Sequence, residues 1–390
     1  MSAPEVFPEW RDRDLEGLLG ACRELLEDMD FPTVRRWREA GGAVVGHFQV
    51  YFPEEIVHAA GALPFRLRGA PLEPTRADSH FGSYLCSILK TSLELALSGR
   101  VELDLFVTHP ICDAARNLAG IFGRNFEYPC QILYLPQNAN SPSAPTYLRG
   151  EYDRLRRTVE EATGGEVTDE GLRRSLGVYN RNRALLRELY RIRRDTPWLL
   201  PADEAYVLTA VGGLVPREEH NELLATALPL VEARDARRLD RIRVVFEGGF
   251  CEQPPLDLIR AISRSCYVVD DDLMIGMRWI LEDVPVDADD PLLALATAYL
   301  ESSSYSPVQH DLRKPKEAML LERVRASGAE AAVVTAAKMC EPGLEEQVTY
   351  TRSLDDAGVP YFVSEFEENM TSFDHLEIQL ETFVENLMFD

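Results

Sequence analysis

Two series of short, β-branched strands alternate with helical patterns, and a long stretch with helical periodicity alone separates them. That order constrains the fold most, because strands that alternate with helices imply parallel pairing with helical crossovers. In the first series Val44–Tyr51, Pro64–Leu67, Leu103–Thr108 and Gln131–Leu135 read as strands. Pro53-Glu54-Glu55 opens a helix, with Pro in its first turn and carboxylates at the positive end of its dipole. Leu85, Leu89, Leu93 and Leu97 mark a helix from Ser83 to Leu97, and Asp113–Phe122 a third. From Tyr147 to Ala233 the pattern is helical throughout, with Thr168-Asp169-Glu170 as a start signal and Pro197 beyond Arg194 as a stop. The second series has strands at Ile242–Phe246, Tyr267–Asp270, Ala331–Thr335 and Tyr361–Ser364, with helices between them and a closing helix at Phe373–Leu387.

The expected architecture is therefore α/β: an N-terminal helical segment at 1–40, a first lobe at 41–146, a helical bridge at 147–238 and a second lobe at 239–390. A net charge of −24 argues against nucleic-acid binding, which needs a basic face, and suits docking to a basic partner. No run approaches the ~18 apolar residues of a membrane helix, so no membrane partner is expected. Met1–Trp10 lacks a basic and apolar leader pattern, which gives a cytoplasmic expectation. No GxxxxGK[ST] loop is present, so nucleotide hydrolysis is not expected of this chain.

Seven cysteines are spread widely with no CxxC pair, which disfavours both a disulfide framework and a zinc ribbon. Four of them stand where chemistry collects. Cys112 and Cys340 each follow a strand and a short loop and precede an acidic residue that opens a helix: Phe106 to Cys112-Asp113, and Val333 to Cys340-Glu341. Ligands gather outside the carboxyl ends of parallel strands. Helix amino termini favour thiolates, and Cys86 sits at the start of another helix. Cys251 follows the strand ending at Phe246. Such thiolates suit an iron–sulfur cluster, although dispersed cysteines are more often small hydrophobic packing residues, as expected for Cys22, Cys130 and Cys266.

Several strings together resemble the family of cluster-binding subunits of 2-hydroxyacyl-CoA dehydratases and benzoyl-CoA reductases. They are Tyr51-Phe-Pro-Glu-Glu-Ile-Val-His-Ala-Ala-Gly-Ala-Leu-Pro, Cys86-Ser-Ile, Ile111-Cys-Asp-Ala-Ala-Arg-Asn-Leu and Lys338-Met-Cys-Glu-Pro. Phe250-Cys-Glu-Gln-Pro-Pro-Leu-Asp, Val268-Val-Asp-Asp-Asp and the ending Glu385-Asn-Leu-Met-Phe-Asp resemble the benzoyl-CoA reductase branch, and the length its smaller core subunit. The resemblance implies two Rossmann- or flavodoxin-like lobes with a 4Fe–4S cluster between them, held by Cys86, Cys112 and Cys340. Cys251 lies outside that pattern and stays open between an extra ligand and a turn residue. The implied reaction is dearomatisation of benzoyl-CoA by low-potential electron transfer. The implied partners are a larger homologous core subunit, two ATPase subunits carrying another iron–sulfur cluster, ferredoxin as donor, and an aromatic acyl-CoA. The rival readings are a radical 2-hydroxyacyl-CoA dehydratase subunit and a non-catalytic relay or scaffold.

Glu54 and Glu55 match the family's acidic pair, and a raised carboxyl pKa would suit one of them to proton transfer. Arg66 and Arg68 alternate on one strand face and are the candidates for CoA phosphates. His109, three residues before Cys112, is a candidate neighbour of the cluster. Asp270, Asp271 and Asp272 read as a solvated loop rather than a hard-metal site.

Overall fold

The computed structural model describes residues 7, 10, 13–48, 51–82, 84–247, 254–273, 280–304, 311–367, 370 and 372–389. After helices α1 (Leu15–Glu27) and α2 (Pro32–Glu39) come β1 (Val44–Phe48), α3 (Glu54–Ala59), β2 (Leu63–Leu67), α4 (Ser87–Leu97), β3 (Leu105–Thr108), α5 (Asp113–Asn125) and β4 (Cys130–Ile132). The four strands form one parallel sheet in the order β2-β1-β3-β4. The helical bridge contains α6 (Ala144–Thr163), α7 (Asp169–Asp195), α8 (Ala202–Ala210) and α9 (Arg217–Glu232). The second series is β5 (Arg243–Glu247), α10 (Leu256–Ser265), β6 (Tyr267–Asp271), α11 (Pro291–Ser302), α12 (Lys316–Ser327), β7 (Ala331–Ala337), α13 (Glu341–Ala357), β8 (Tyr361–Phe366) and α14 (Asp374–Phe389). It forms a second parallel sheet, β6-β5-β7-β8.

The two sheets thus share one strand order, and the structure is a mixed α/β protein with two Rossmann- or flavodoxin-like lobes. In both sheets an inner strand, β1 in the first and β7 in the second, is buried along its whole length, as helices on both faces demand. Strand periodicity located all eight strands, with end shifts: β2 begins at Leu63 rather than Pro64, and β4 begins at Cys130 rather than Gln131. One apolar core runs continuously through both lobes and the bridge, from Trp37 and Val44 through Leu189 to Phe246 and Val333. A smaller cluster of Val245, Leu320, Val334, Tyr350 and Leu354 packs α12 and α13 against the second sheet.

The 27-residue helix α7 is the spine of this arrangement. Thr168 caps it by accepting from Gly171 N at 3.0 Å, and Arg193 and Arg194 complement the dipole at its last turn. At its middle Arg183 pairs with Glu55 of α3, and in its last turn Arg193 pairs with Asp271 of β6. Both pairs are buried, so one helix is tied to both lobes. No helix among the described residues is long and apolar enough to cross a membrane.

Candidate functional site

Each of the three cysteines that the resemblance implies as ligands occupies the N-cap of a helix. Cys86 caps α4, Cys112 caps α5 and Cys340 caps α13. Cys86 is therefore one position before α4, not within the first turn where the sequence placed it. Cys112 follows β3 and Cys340 follows β7, so both stand at the carboxyl ends of the equivalent third strands. The Cys112 Sγ accepts from Ala115 N at 3.4 Å. Cys340 is presented by a turn in which its N–H reaches the Ala337 carbonyl at 3.1 Å, with Met339 at φ 59°.

The structure brings Cys112 and Cys340 together electrostatically. Burial pushes the Cys112 thiol up; the Ala115 N–H opposes this, and charge on Cys340 and then on Glu341 pushes it up further. The helix dipole alone does not give the thiolate expected from sequence. A bound cation would reverse that balance, since a coordinated thiol is deprotonated outright. Cys86 is half-buried, and its helix packs against α5, the helix that Cys112 caps. No three His, Cys, Asp or Glu side chains among the described residues are gathered as one metal ion requires. A cube of four irons spreads its thiolates wider than a single ion does, and three helix-capping thiols are a soft donor set of the kind such a cube takes. Cys251 lies outside the described residues. Cys22 and Cys266 are buried thiols pushed up to about 12 by desolvation, in keeping with packing roles, and Cys130 is half-buried.

The acidic pair separates into two environments. Glu55 is fully buried and bound to Arg183. Glu54 receives Arg217 and the Tyr179 hydroxyl, the latter at 3.0 Å, on Oε2, while His47 Nε2 lies 3.3 Å from Oε1. Burial pushes the Glu54 carboxyl up, but the Arg217 charge and the His47 and Arg217 hydrogen bonds outweigh it and hold it far below the usual range. Glu54 is thus a carboxylate near neutral pH, opposite in sign to the raised pKa expected of a proton donor.

Arg217, Tyr179 and their supports were not found by sequence reading, since a buried arginine on a helix has no local signature. His220 fixes the geometry. Its Nε2 reaches the Leu208 carbonyl at 2.9 Å, so Nε2 carries the proton and Nδ1 accepts from Asn182 at 2.9 Å and Arg217 at 3.3 Å. Gly212 permits this, because a Cβ there would lie 2.5 Å from the imidazole.

His109 is buried between β3 and Cys112, with Nδ1 3.2 Å from the Leu133 carbonyl and its ring edge-on to Tyr51. Burial lowers its pKa to about 4, so it is a neutral imidazole. Arg66 is buried in register with His47, and Arg68 donates to the Leu26 carbonyl. The acidic run is not a solvated loop: Asp271 is buried and holds Arg193 and the Tyr190 hydroxyl, and Asp270 pairs with Arg323. A strand end that must meet a buried arginine explains the acids there. A cavity of about 620 Å³ lies at the amino-terminal ends of β1 and β2, lined by Trp37, His58, Gly61, Gly165 and Glu218. It is on the opposite end of the sheet from the cysteines, so we place the chemistry at the strand ends rather than there.

The sequence profile of the family described as HGD-D, 2-hydroxyglutaryl-CoA dehydratase, D-component, matches residues 49–387. One of the benzoyl-CoA reductase subunits of Thauera aromatica is 36% identical over 379 residues, covering 95% of this chain and 98% of that protein. The beta subunit of lactoyl-CoA dehydratase from Anaerotignum propionicum is 28% identical, covering 90% of this chain and 93% of that protein. The beta subunit of (R)-2-hydroxyglutaryl-CoA dehydratase from Acidaminococcus fermentans is 25% identical, covering 90% and 94% respectively.

Proposed function

From the premise that the chain belongs to the 2-hydroxyglutaryl-CoA dehydratase D-component family, we propose that it is a core subunit of an ATP-dependent benzoyl-CoA reductase. The higher identity to a benzoyl-CoA reductase subunit than to the dehydratase subunits supports that branch. In this reading Cys86, Cys112 and Cys340 hold a 4Fe–4S cluster. The observation that carries it is the placement of three thiols at three helix N-caps, two of them at equivalent strand ends and within each other's electrostatic range.

When bound, the cluster supplies single electrons at low potential, and such centres reach down to roughly −700 mV. The chain's own residues then have three tasks. The Ala115 N–H and the amino ends of α4, α5 and α13 stabilise sulfur anions at the strand mouths. Glu54, held ionised by Arg217, is the group we assign to accepting a proton rather than donating one, with His47 on its second oxygen. Glu55 supports it by tying α3 to α7 through Arg183. Arg66 and Arg68 are our candidates for CoA phosphates, Arg68 exchanging the Leu26 carbonyl for a phosphate oxygen. The partners are a larger homologous subunit, two ATPase subunits and a ferredoxin donor, in the cytoplasm.

The test is anaerobic reconstitution of the full chain, with iron and sulfide analysis of wild type beside Cys86→Ala, Cys112→Ala and Cys340→Ala. A wild-type chain that takes up no iron, or variants that keep it all, ends the cluster assignment. The complex assembled with its partner subunits is then given benzoyl-CoA and a 2-hydroxyacyl-CoA. Dehydration without ring reduction reassigns the chain to the dehydratase branch.

A further inference from the structure

We infer that a cleft at the amino-terminal end of the second sheet binds a phosphorylated anion of nucleotide size. In a chain of net charge −24, the ten residues Arg234–Arg243 carry five arginines and two aspartates. They lie beside a cavity of about 380 Å³ lined by Trp198, Arg238, Arg241, Arg243 and Tyr267. An adjoining recess of about 170 Å³ adds Arg237 and Ser263.

The guanidinium groups are held in place by neutral partners. Arg238 stacks over Trp198 at 5.4 Å and Arg241 over Tyr267 at 5.7 Å. Arg241 also donates to the Ser263 carbonyl at 2.8 Å. Arg243 donates to the carbonyls of Arg194, Ser327 and Gly328 at 2.6, 2.7 and 3.1 Å. Among the described residues none of the three forms an ion pair, whereas most other arginines on this acidic surface do. Asp240 and Glu330 also line the cleft, and Asp195 lies nearby. Burial first and then the charge of Arg238 lower the pKa of Arg243, and Glu330 and Asp195 offset this in part.

Ring-backed guanidinium forks of this kind present fixed donor pairs that match phosphate oxygens. A space of this size falls within the ~300–1,000 Å³ of small-molecule sites and exceeds what a single phosphate fills. The cleft is at the starts of β5, β6 and β7, and the cysteines are at the strand ends, so this site is separate from the proposed cluster site and does not depend on it.

The experiment titrates the full chain with ADP, pyrophosphate and adenosine, by calorimetry and by tryptophan fluorescence, since Trp198 lines the cleft. ADP and pyrophosphate are expected to bind and adenosine not to. Arg238→Gln/Arg241→Gln should weaken binding at least ~10-fold, and added salt should weaken it in wild type. If the double variant does not fold, Arg238→Gln alone carries the same expectation, because that guanidinium makes no hydrogen bond among the described residues. Absence of binding at millimolar ligand, or binding unchanged in the variants, overturns the inference. So does an acidic peptide that competes as strongly as ADP, which would make the cleft a protein-docking surface.

Discussion

Arg217 of α9 and Glu54 of α3 form a largely buried ion pair across 163 residues of sequence. Among the described residues the guanidinium has no second carboxylate in its hydrogen-bonding shell; Asn182, His220 and the Tyr179 ring complete it. Removing one partner of such a pair strands the other. Arg217→Met should therefore cost about 3–5 kcal/mol of stability. Glu54→Gln combined with it should recover part of that loss, with a coupling of about 0.5–3 kcal/mol in a double-mutant cycle from urea unfolding. Additive losses would mean the two side chains do not interact. On the activity side, Glu54→Gln should lower turnover of the assembled complex by about 10²–10⁴-fold if it handles protons.

His220 and His109 make stability sensitive to mild acid. Burial, then the Arg217 charge, lowers His220 to about 3, and burial lowers His109 to about 4. An unfolded histidine titrates near ~6.5. Below that pH the unfolded chain gains protons that the folded chain refuses, so the stability present above ~6.5 is lost as pH falls toward the folded values. Between pH 6.5 and 5 the loss should be about 2 kcal/mol for each histidine. His220→Gln keeps an acceptor for Asn182 and a donor for Leu208, and should remove its share of the slope. Urea midpoints at pH 7 and pH 5 for the two proteins measure this, and equal slopes would contradict it.

The sequence exposed what periodicity and turn chemistry control. Eight strands, the helical bridge and the placement of Cys112 and Cys340 after equivalent strands all followed from local pattern. Glu54 was legible only through its place after Pro53 and the family likeness. What stayed hidden was long-range. Arg217, Tyr179 and Arg193 look like ordinary surface residues of amphipathic helices until α7 and α9 pack on the sheets and bury them. Asp271 misread as solvated for the same reason, since its partners Tyr190 and Arg193 are some eighty residues away. The Cys112 thiol is the instructive case: the helix terminus predicts a lowered pKa, but burial and a second thiol outweigh the dipole.

Arg193→Met should separate buried from surface charge. Both Arg193 and Asp271 are almost wholly buried, with side-chain exposures of 2% and 0%. The cost should be about 3–5 kcal/mol, seen as early loss of second-lobe structure in hydrogen exchange. Arg174→Met removes an i,i+4 pair with Glu170 on the same helix, at 67% and 83% exposure. That change should stay within about 0.5 kcal/mol. Comparable effects from the two variants would show that α7 does not clamp the second lobe through Asp271.

The turn that presents Cys340 carries a cost that can be measured. Met339 is at φ 59° and 58% exposed, and the Cys340 N–H closes the turn onto the Ala337 carbonyl. The third position of such a turn requires positive φ, which glycine adopts freely and other residues adopt with strain of about 1–2 kcal/mol. Met339→Gly removes that strain but loosens the unfolded chain, so the net gain should be about 0.5–1 kcal/mol. Met339→Ile adds a β-branch at the same φ and should destabilise the protein, since branched residues are outliers there. Thermal unfolding of the three proteins ranks them glycine, methionine, isoleucine. Under the proposed cluster assignment, iron retention should follow the geometry rather than the stability: glycine preserves the turn and keeps iron, and isoleucine displaces Cys340 and loses it. A glycine variant less stable than wild type would show that the backbone at Met339 is not strained.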